Sequence, residues 1–337
     1  MVNLRYPYVL LLFLMLVLSG PCFVRAGSQW APNSANPILS PGKLGAWDYG
    51  GVIRPRVIYD GQKFRMWFVG LDSGGNLNGI GYASSTDGIT WVKNSNPVIT
   101  ASTSNWEGSY ISIGSVFWTG SEFVMYYRGV GGQEGSASSH GAVGIATSQD
   151  GVSWTKYSDN PVMTTGGPDA SFLSTPYVIQ IGSSYQMWYS CRNPALTYVA
   201  ICYASSTDGK SWVKHESPVL VASGIGMERY AVYSPTVVYD GTTYGMWYTA
   251  TGNSDGTQTQ VEFASSRDGI TWVKDPSNPI FSYGPSGSWD AGGIQNQCAI
   301  SYQNGFLLYY DGYGTSDNSL NYIGVAQSPS DFTLSSG

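Results

Sequence analysis

GIGYASSTDGITWVKNSNPV, residues 79–98, decides the fold, because the chain repeats it. The block returns as AVGIATSQDGVSWTKYSDNPV at 142–162, AICYASSTDGKSWVKHESPV at 200–219 and VEFASSRDGITWVKDPSNPI at 261–280. Its tryptophans, Trp91, Trp154, Trp212 and Trp272, recur about every 60 residues, a period too long for most solenoids and suited to a four-stranded propeller blade with long loops. An Asp-Gly pair between two β-rich runs predicts strand, tight turn, strand. Asp87, Asp150, Asp208 and Asp268 are placed to accept turn N–H groups, and the following glycine takes a backbone angle that other residues resist.

Upstream of each block lies a second hairpin: VIYDGQKFRMWFVG (57–70), VFWTGSEFVMYYRG (116–129), VIQIGSSYQMWYSC (178–191) and VVYDGTTYGMWYTA (237–250). A fifth copy, AISYQNGFLLYYDG (299–312), is followed by YIGVAQSPSDFTL (322–334). Each unit reads as four antiparallel strands, so the predicted fold is all-β, a five-bladed β-propeller. The fifth unit lacks the W…NP strand that ends the others. Asn36-Pro37-Ile38-Leu39 is a spare copy of that segment and is expected to close the ring as an N-terminal strand, removing the open edge.

Outside the repeats, Arg5, the apolar run Tyr8 to Leu18 and Val24-Arg25-Ala26 predict a signal peptide over 1–26, leaving 27–337 as one secreted or periplasmic domain. The apolar run is short for a membrane span. Sixteen Lys and Arg stand against 22 Asp and Glu, a formal net charge of −6. Loss of Arg5 and Arg25 makes the balance more acidic still, which argues against nucleic acid and anionic membranes as partners. Three cysteines follow the leader. Cys191 and Cys202 approach the mouth of one hairpin but pair out of register, so three buried thiols are expected. His140 and His215 are the only histidines, which gives no zinc spacing. Neither a metal nor a cofactor is expected, calcium being conceivable only through His140 in the GGQEGSASSHG loop. A monomer is expected.

The Asp-Gly turns belong to the face opposite the substrate mouth. The other face carries WDYGGVIRP, WEGSYISIGS, PDASFLSTP, MERYAVYSP and WDAGGIQNQ, one before each first strand. Each supplies one acid, Asp48, Glu107, Asp169, Glu228 or Asp290, and five carboxylates in register are expected to ring one axial mouth. Trp47, Trp106, Tyr230 and Trp289 offer flat platforms for sugar rings, and Arg54 and Arg192 offer forked donors. The competing reading makes each Trp-acid pair a blade corner, its carboxylate capping a turn and its indole covering an edge.

The pattern PxVIYDG…YxMWY…ASSxDGxxW resembles the five-bladed glycoside hydrolases of the arabinanase, xylosidase and invertase type, families 43, 32 and their relatives. The resemblance implies a carbohydrate substrate and three carboxylates from the first, third and fourth blades in the order Asp, Asp, Glu. By blade and register these are Asp48 as base or nucleophile, Asp169 as orienting partner and Glu228 as the protonated acid. In those families the acids stand directly at the start of strand one, in Asn-Asp-Pro or Arg-Asp-Pro runs. Here those places hold Ile53-Arg54-Pro55, Ser174-Thr175-Pro176 and Tyr233-Ser234-Pro235. A non-catalytic glycan-binding propeller is the alternative. The turn also resembles a shortened Asp-box of the sialidases, but five blades and the lack of an Arg triad with a Tyr-Glu pair set the chain apart from them.

Overall fold

The computed structural model describes residues 30–102, 106–108, 110–131, 141–192, 198–315 and 320–335. The expected signal peptide and His140 lie outside the described residues. The chain is all-β and propeller-like. Its first unit runs through Gly51–Tyr59, Phe64–Leu71, Leu77–Ser85 and Val92–Lys93, each strand antiparallel to the one before. The second follows with Tyr110–Trp118, Phe123–Val130, Ala142–Ser148 and Thr155–Lys156. Phe172–Ile181, Ser184–Arg192, Ala200–Ser206 and Val213–Lys214 form the third. The fourth comprises Ala231–Tyr239, Tyr244–Thr251, Thr259–Ser266 and Trp272–Lys274. The fifth has Gly293–Tyr302, Gly305–Tyr313 and Asn321–Gln327. First strands lie against one another in order around the units, and that of the fifth returns to that of the first. Among the described residues no helix is long and apolar enough to cross a membrane.

The repeated Asp-Gly turn is a joint between units. In all four, the aspartate Oδ1 accepts the amides two and three residues on, and a serine hydroxyl joins it. These bonds to the ionised form hold each carboxyl below its usual range. The glycine carbonyl then accepts a bond from a buried aromatic on strand two of the neighbouring unit. Trp67 Nε1 reaches Gly151 at 2.8 Å, Tyr126 Oη reaches Gly209 at 2.8 Å and Trp188 Nε1 reaches Gly269 at 2.8 Å. Tyr309 Oη of the fifth unit reaches Gly88 of the first at 3.2 Å. Trp247, which would face the fifth unit's turn, has no such partner, because SPSDF there lacks the Asp-Gly pair.

The N-terminal segment lies along the last strand. Ala31–Pro32 pairs with Ala326 and Gln327, and Leu39 bridges Ile323. Between them the Asn36 amide brackets Val325, donating to its carbonyl and accepting from its N–H at 2.9 Å each. Asn160 and Asn278 bracket Ile145 and Phe263 in the same way in the second and fourth units. The spare Asn-Pro copy thus does for strand three of the fifth unit what the internal copies do for theirs.

The cysteine expectation is corrected: Cys191 and Cys202 form a disulfide, their Cα atoms 5.8 Å apart, and only Cys298 is a free, buried thiol. Cys202 pairs with Tyr189, so the cysteines are indeed out of register. A diagonal across neighbouring strands is nevertheless within disulfide reach. The neighbouring units explain the site. The equivalent diagonal holds Gly70 and Gly81 in the first unit, Gly129 and Gly144 in the second, and Gly312 and Gly324 in the fifth. A Cβ on Gly70, Gly129 or Gly312 would stand 2.1 Å from Trp47, 2.6 Å from Trp106 or 2.8 Å from Trp289. Where the indole is present the diagonal must be bare. The third unit has Pro168 in place of the indole, and the disulfide fills the gap.

Candidate functional site

All five first strands skip in register at the same place, after Ile53, Ile113, Ser174, Tyr233 and Gln295. A proline in three of them, Pro55, Pro176 and Pro235, can donate nothing to the ladder and so suits a bulge. In four units a non-glycine residue there takes a left-handed backbone: Arg54 at φ 55°, Thr175 at 44°, Ser234 at 52° and Asn296 at 52°. Each such residue costs about 1–3 kcal/mol unless the surrounding structure imposes it, and clusters of them mark functional sites.

These four residues line one cavity of about 920 Å³. Hydroxyls and amides tie its floor together. Thr175 and Ser190 Oγ lie 2.6 Å apart, the Ser234 amide donates to Ser190 Oγ at 2.9 Å, and Ser234 Oγ donates to Asn296 Oδ1 at 2.7 Å. Tyr198, Tyr230 and Tyr233 supply aromatic wall, and Arg54, Arg192 and Arg229 bring positive charge. An Arg54 Nη1 donates to Ser112 Oγ of the second unit. Below this floor lies Asp311, fully buried on strand two of the fifth unit. It accepts the Arg54 amide at 2.8 Å and Asn296 Nδ2 at 3.4 Å. Burial, against these bonds, pushes its carboxyl up to about 6.

Three expected binding residues, Arg54, Arg192 and Tyr230, do line the cavity. The acids do not. Asp48, Glu107, Asp169, Glu228 and Asp290 are buried, and none is among the described residues of the cavity wall. Four of them meet the lysine that follows the repeat tryptophan on strand four. Lys93 lies 2.5 Å from Asp48, Lys156 lies 2.6 Å from Glu107, Lys214 lies 2.8 Å from Asp169, and Lys274 meets Glu228. Each carboxylate also takes a backbone amide from the loop before it, Gly42, Ser102, Gly166 or Ser223. Asp290, whose unit has no such lysine, accepts Ser288 Oγ at 2.7 Å. A buried carboxylate needs its charge matched, and the lysine on its own unit's outer strand draws it away from the axis. The expectation that these five acids ring the axial mouth is therefore corrected. Trp47, Trp106 and Trp289 are likewise turned into their own units, packed on the bare glycine diagonals and on Phe68, Tyr127 and Tyr310.

Nor does Glu228 hold the proton. Burial works to raise it, but Glu262, Lys274 and Tyr248 outweigh burial and keep it below the usual carboxylate range. The proton of that corner sits on Glu262, which burial and the neighbouring Glu228 push up to about 8. Thr175, Ser190, Ser234, Asn296 and Asp311, which make the axial floor, are not among the residues that the sequence singles out. For Thr175 and Ser234 the signal is the place before the strand-one proline, which the resembled families reserve for their acids; Ser190, Asn296 and Asp311 carry no such mark.

Residues 79–227 match the family model described as the glycosyl hydrolases family 32 N-terminal domain. The BT0996 protein, in its RGII complex, is similar in fold at a TM-score of 0.72 and 16% identity, over 90% of this protein and 92% of that one. A glycosyl hydrolase from Bacteroides ovatus is similar at 0.67 and 17% identity, over 91% and 95%. The resemblance to propeller glycoside hydrolases is borne out, the structures showing the fold and the family 32 match supporting a glycosidase, which hydrolyses glycosidic bonds. The uncharacterized protein MT1551 of Mycobacterium tuberculosis (strain CDC 1551 / Oshkosh) is 30% identical over 267 residues, covering 76% of this chain and 86% of that protein. With that identity along most of both chains, and the family 32 match within it, this protein belongs to the same family as MT1551, on a propeller-like fold of the glycoside hydrolase type.

Proposed function

We propose that the protein is a secreted glycoside hydrolase, a five-bladed propeller closed by the segment from Ala31 to Leu39, that takes its saccharide in the axial cavity. Support comes from four strained residues of four different units converging on that one cavity. The cavity is the size that ligand sites favour and combines aromatic wall with convergent polar groups. Hydrolysis needs one carboxyl to protonate the leaving oxygen and a second group to activate water or attack the sugar. Asp311 is the carboxyl of the axis. It is fully buried beneath the cavity and is not part of its wall, so its role is to position the floor and not to transfer the proton itself. Its bonds from the Arg54 amide and from Asn296 Nδ2 hold those two residues in place at the floor.

The test is release of reducing ends from arabinan, xylan, fructan and mannan oligosaccharides by wild type, Asp311→Asn and Glu228→Gln. Loss of about tenfold or more in kcat/KM with Asp311→Asn, in a variant that still folds, places the reaction over the floor that Asp311 positions. Loss with Glu228→Gln alone would return the chemistry to the blade corner and sink the axial assignment. One observation favours a second reading, a glycan-binding propeller without catalysis: no carboxylate is among the described cavity-lining residues. Saccharide binding with no release by wild type, on any of these substrates, would establish it.

A further inference from the structure

The charge of the axial cavity is the reverse of what the protein as a whole carries. The chain has a formal net charge of −6, yet this cavity presents Arg54, Arg192 and Arg229 from three units and no carboxylate wall. Among the described residues none of the three makes an ion pair, whereas Lys93, Lys156, Lys214, Lys274 and Arg65 each have a carboxylate within reach. Arg54 is the most constrained. Its backbone is held left-handed, its Nη1 is spent on Ser112, and its buried Nε has no hydrogen-bond partner. Arg229 lies over the Tyr230 ring, 5.5 Å from its centroid, which leaves the edge of the guanidinium for a ligand.

The amides of Asn253, Gln295 and Asn296 on the same wall suit sugar hydroxyls, which both donate and accept, and the three guanidinium groups add donors alone. Arg192 and Arg229, without a carboxylate partner among the described residues, converge with Arg54 from separate elements and fit an acceptor-only, planar or trigonal oxyanion. We infer that the axial cavity takes a saccharide carrying an oxyanion, a carboxylate or a phosphate, gripped by Arg54, Arg192 and Arg229. This rests on the saccharide-binding reading above and narrows its substrate to acidic glycans. The acidic exterior serves the same end: it repels anions everywhere except at this mouth, so charge selects where such a ligand lands.

The experiment is calorimetric titration of the full chain with an oligogalacturonate, a hexose phosphate and a neutral galacto-oligosaccharide of matched length. Titrations are run at about 0.05 M and about 0.5 M salt, which moves the screening length from above to below ordinary charge separations. At least one anionic ligand should bind about tenfold tighter than the neutral one at low salt, the loss of one charge-assisted contact being worth roughly that factor. High salt should erase most of the advantage. Arg192→Gln and Arg229→Gln, both at exposed positions, should weaken the anionic ligand alone. Whether the uronate or the phosphate wins identifies which oxyanion the site was built for. A neutral ligand bound as tightly, with no salt dependence, would overturn the inference and leave the saccharide reading standing. Failure of all three to bind would remove that reading and the inference with it.

Discussion

Lys214→Met should destabilise the folded protein by about 3 kcal/mol, seen as a lower urea midpoint with an unchanged slope. Asp169 is fully buried at its blade corner, where its oxygens meet the Lys214 ammonium and the Gly166 amide, the latter at 2.6 Å. Methionine keeps the apolar stem that lies along strand four but withdraws the charge, so an ionised carboxylate is left in a site closed to water. Breaking a buried pair in this way costs about 3–5 kcal/mol, and the low end applies because the lysine side chain remains 18% exposed. The loss belongs to the orphaned charge and not to the missing lysine, so Lys214→Met combined with Asp169→Asn should recover most of it. Unfolding of Lys214→Met within about 0.5 kcal/mol of wild type would show that these corners are ordinary surface pairs.

The architecture was far more legible in the sequence than the site, and the reason lies in what repeats. Trp91, Trp154, Trp212 and Trp272 with their Asp-Gly turns answer a demand made once per unit, so one sequence displays the solution four times over. The corner acids repeat for the same reason. Their even spacing came from Lys93, Lys156, Lys214 and Lys274 needing partners, and the same regularity that made them conspicuous marked them as structural. A site does the opposite and breaks the repeat. Arg54, Thr175, Ser234 and Asn296 stand in equivalent places but bring a guanidinium, two hydroxyls and an amide, a mixture that periodicity cannot detect. The disulfide was hidden in the same way. Cys191 and Cys202 occupy positions that are glycine in three other units, and only the packing of Trp47, Trp106 and Trp289 gives those glycines a meaning.

The fourth unit breaks the glycine diagonal differently, and its exception should set how stability depends on pH. Ala250 and Glu262 replace the glycines, Met227 replaces the indole, and Glu262 comes to lie against Glu228 with Tyr248 Oη within hydrogen-bond distance of both, at 3.0 and 2.8 Å. Two carboxyls that close cannot both ionise, and burial with Glu228's charge raises Glu262 from 4.5 to about 8. The folded chain therefore keeps a proton that the unfolded chain releases above 4.5. This contribution is fully present below that value and is lost as pH rises through about 8, so wild-type stability should decline across the interval. Asp311 acts with the same sign but is finished titrating near 6. Between pH of about 6.5 and 9 the decline should be about 2 kcal/mol, because the slope of about 1.4 kcal/mol per pH unit runs only up to about 8. Glu262→Gln imitates the protonated acid, its amide donating to Glu228 and its oxygen accepting from Tyr248. The variant should match wild type only below about 4.5, already exceed it near pH 6.5 and exceed it further at pH 9, and lose most of the slope between those two values in urea titrations. An unchanged slope in Glu262→Gln would mean that the proton of this corner resides elsewhere.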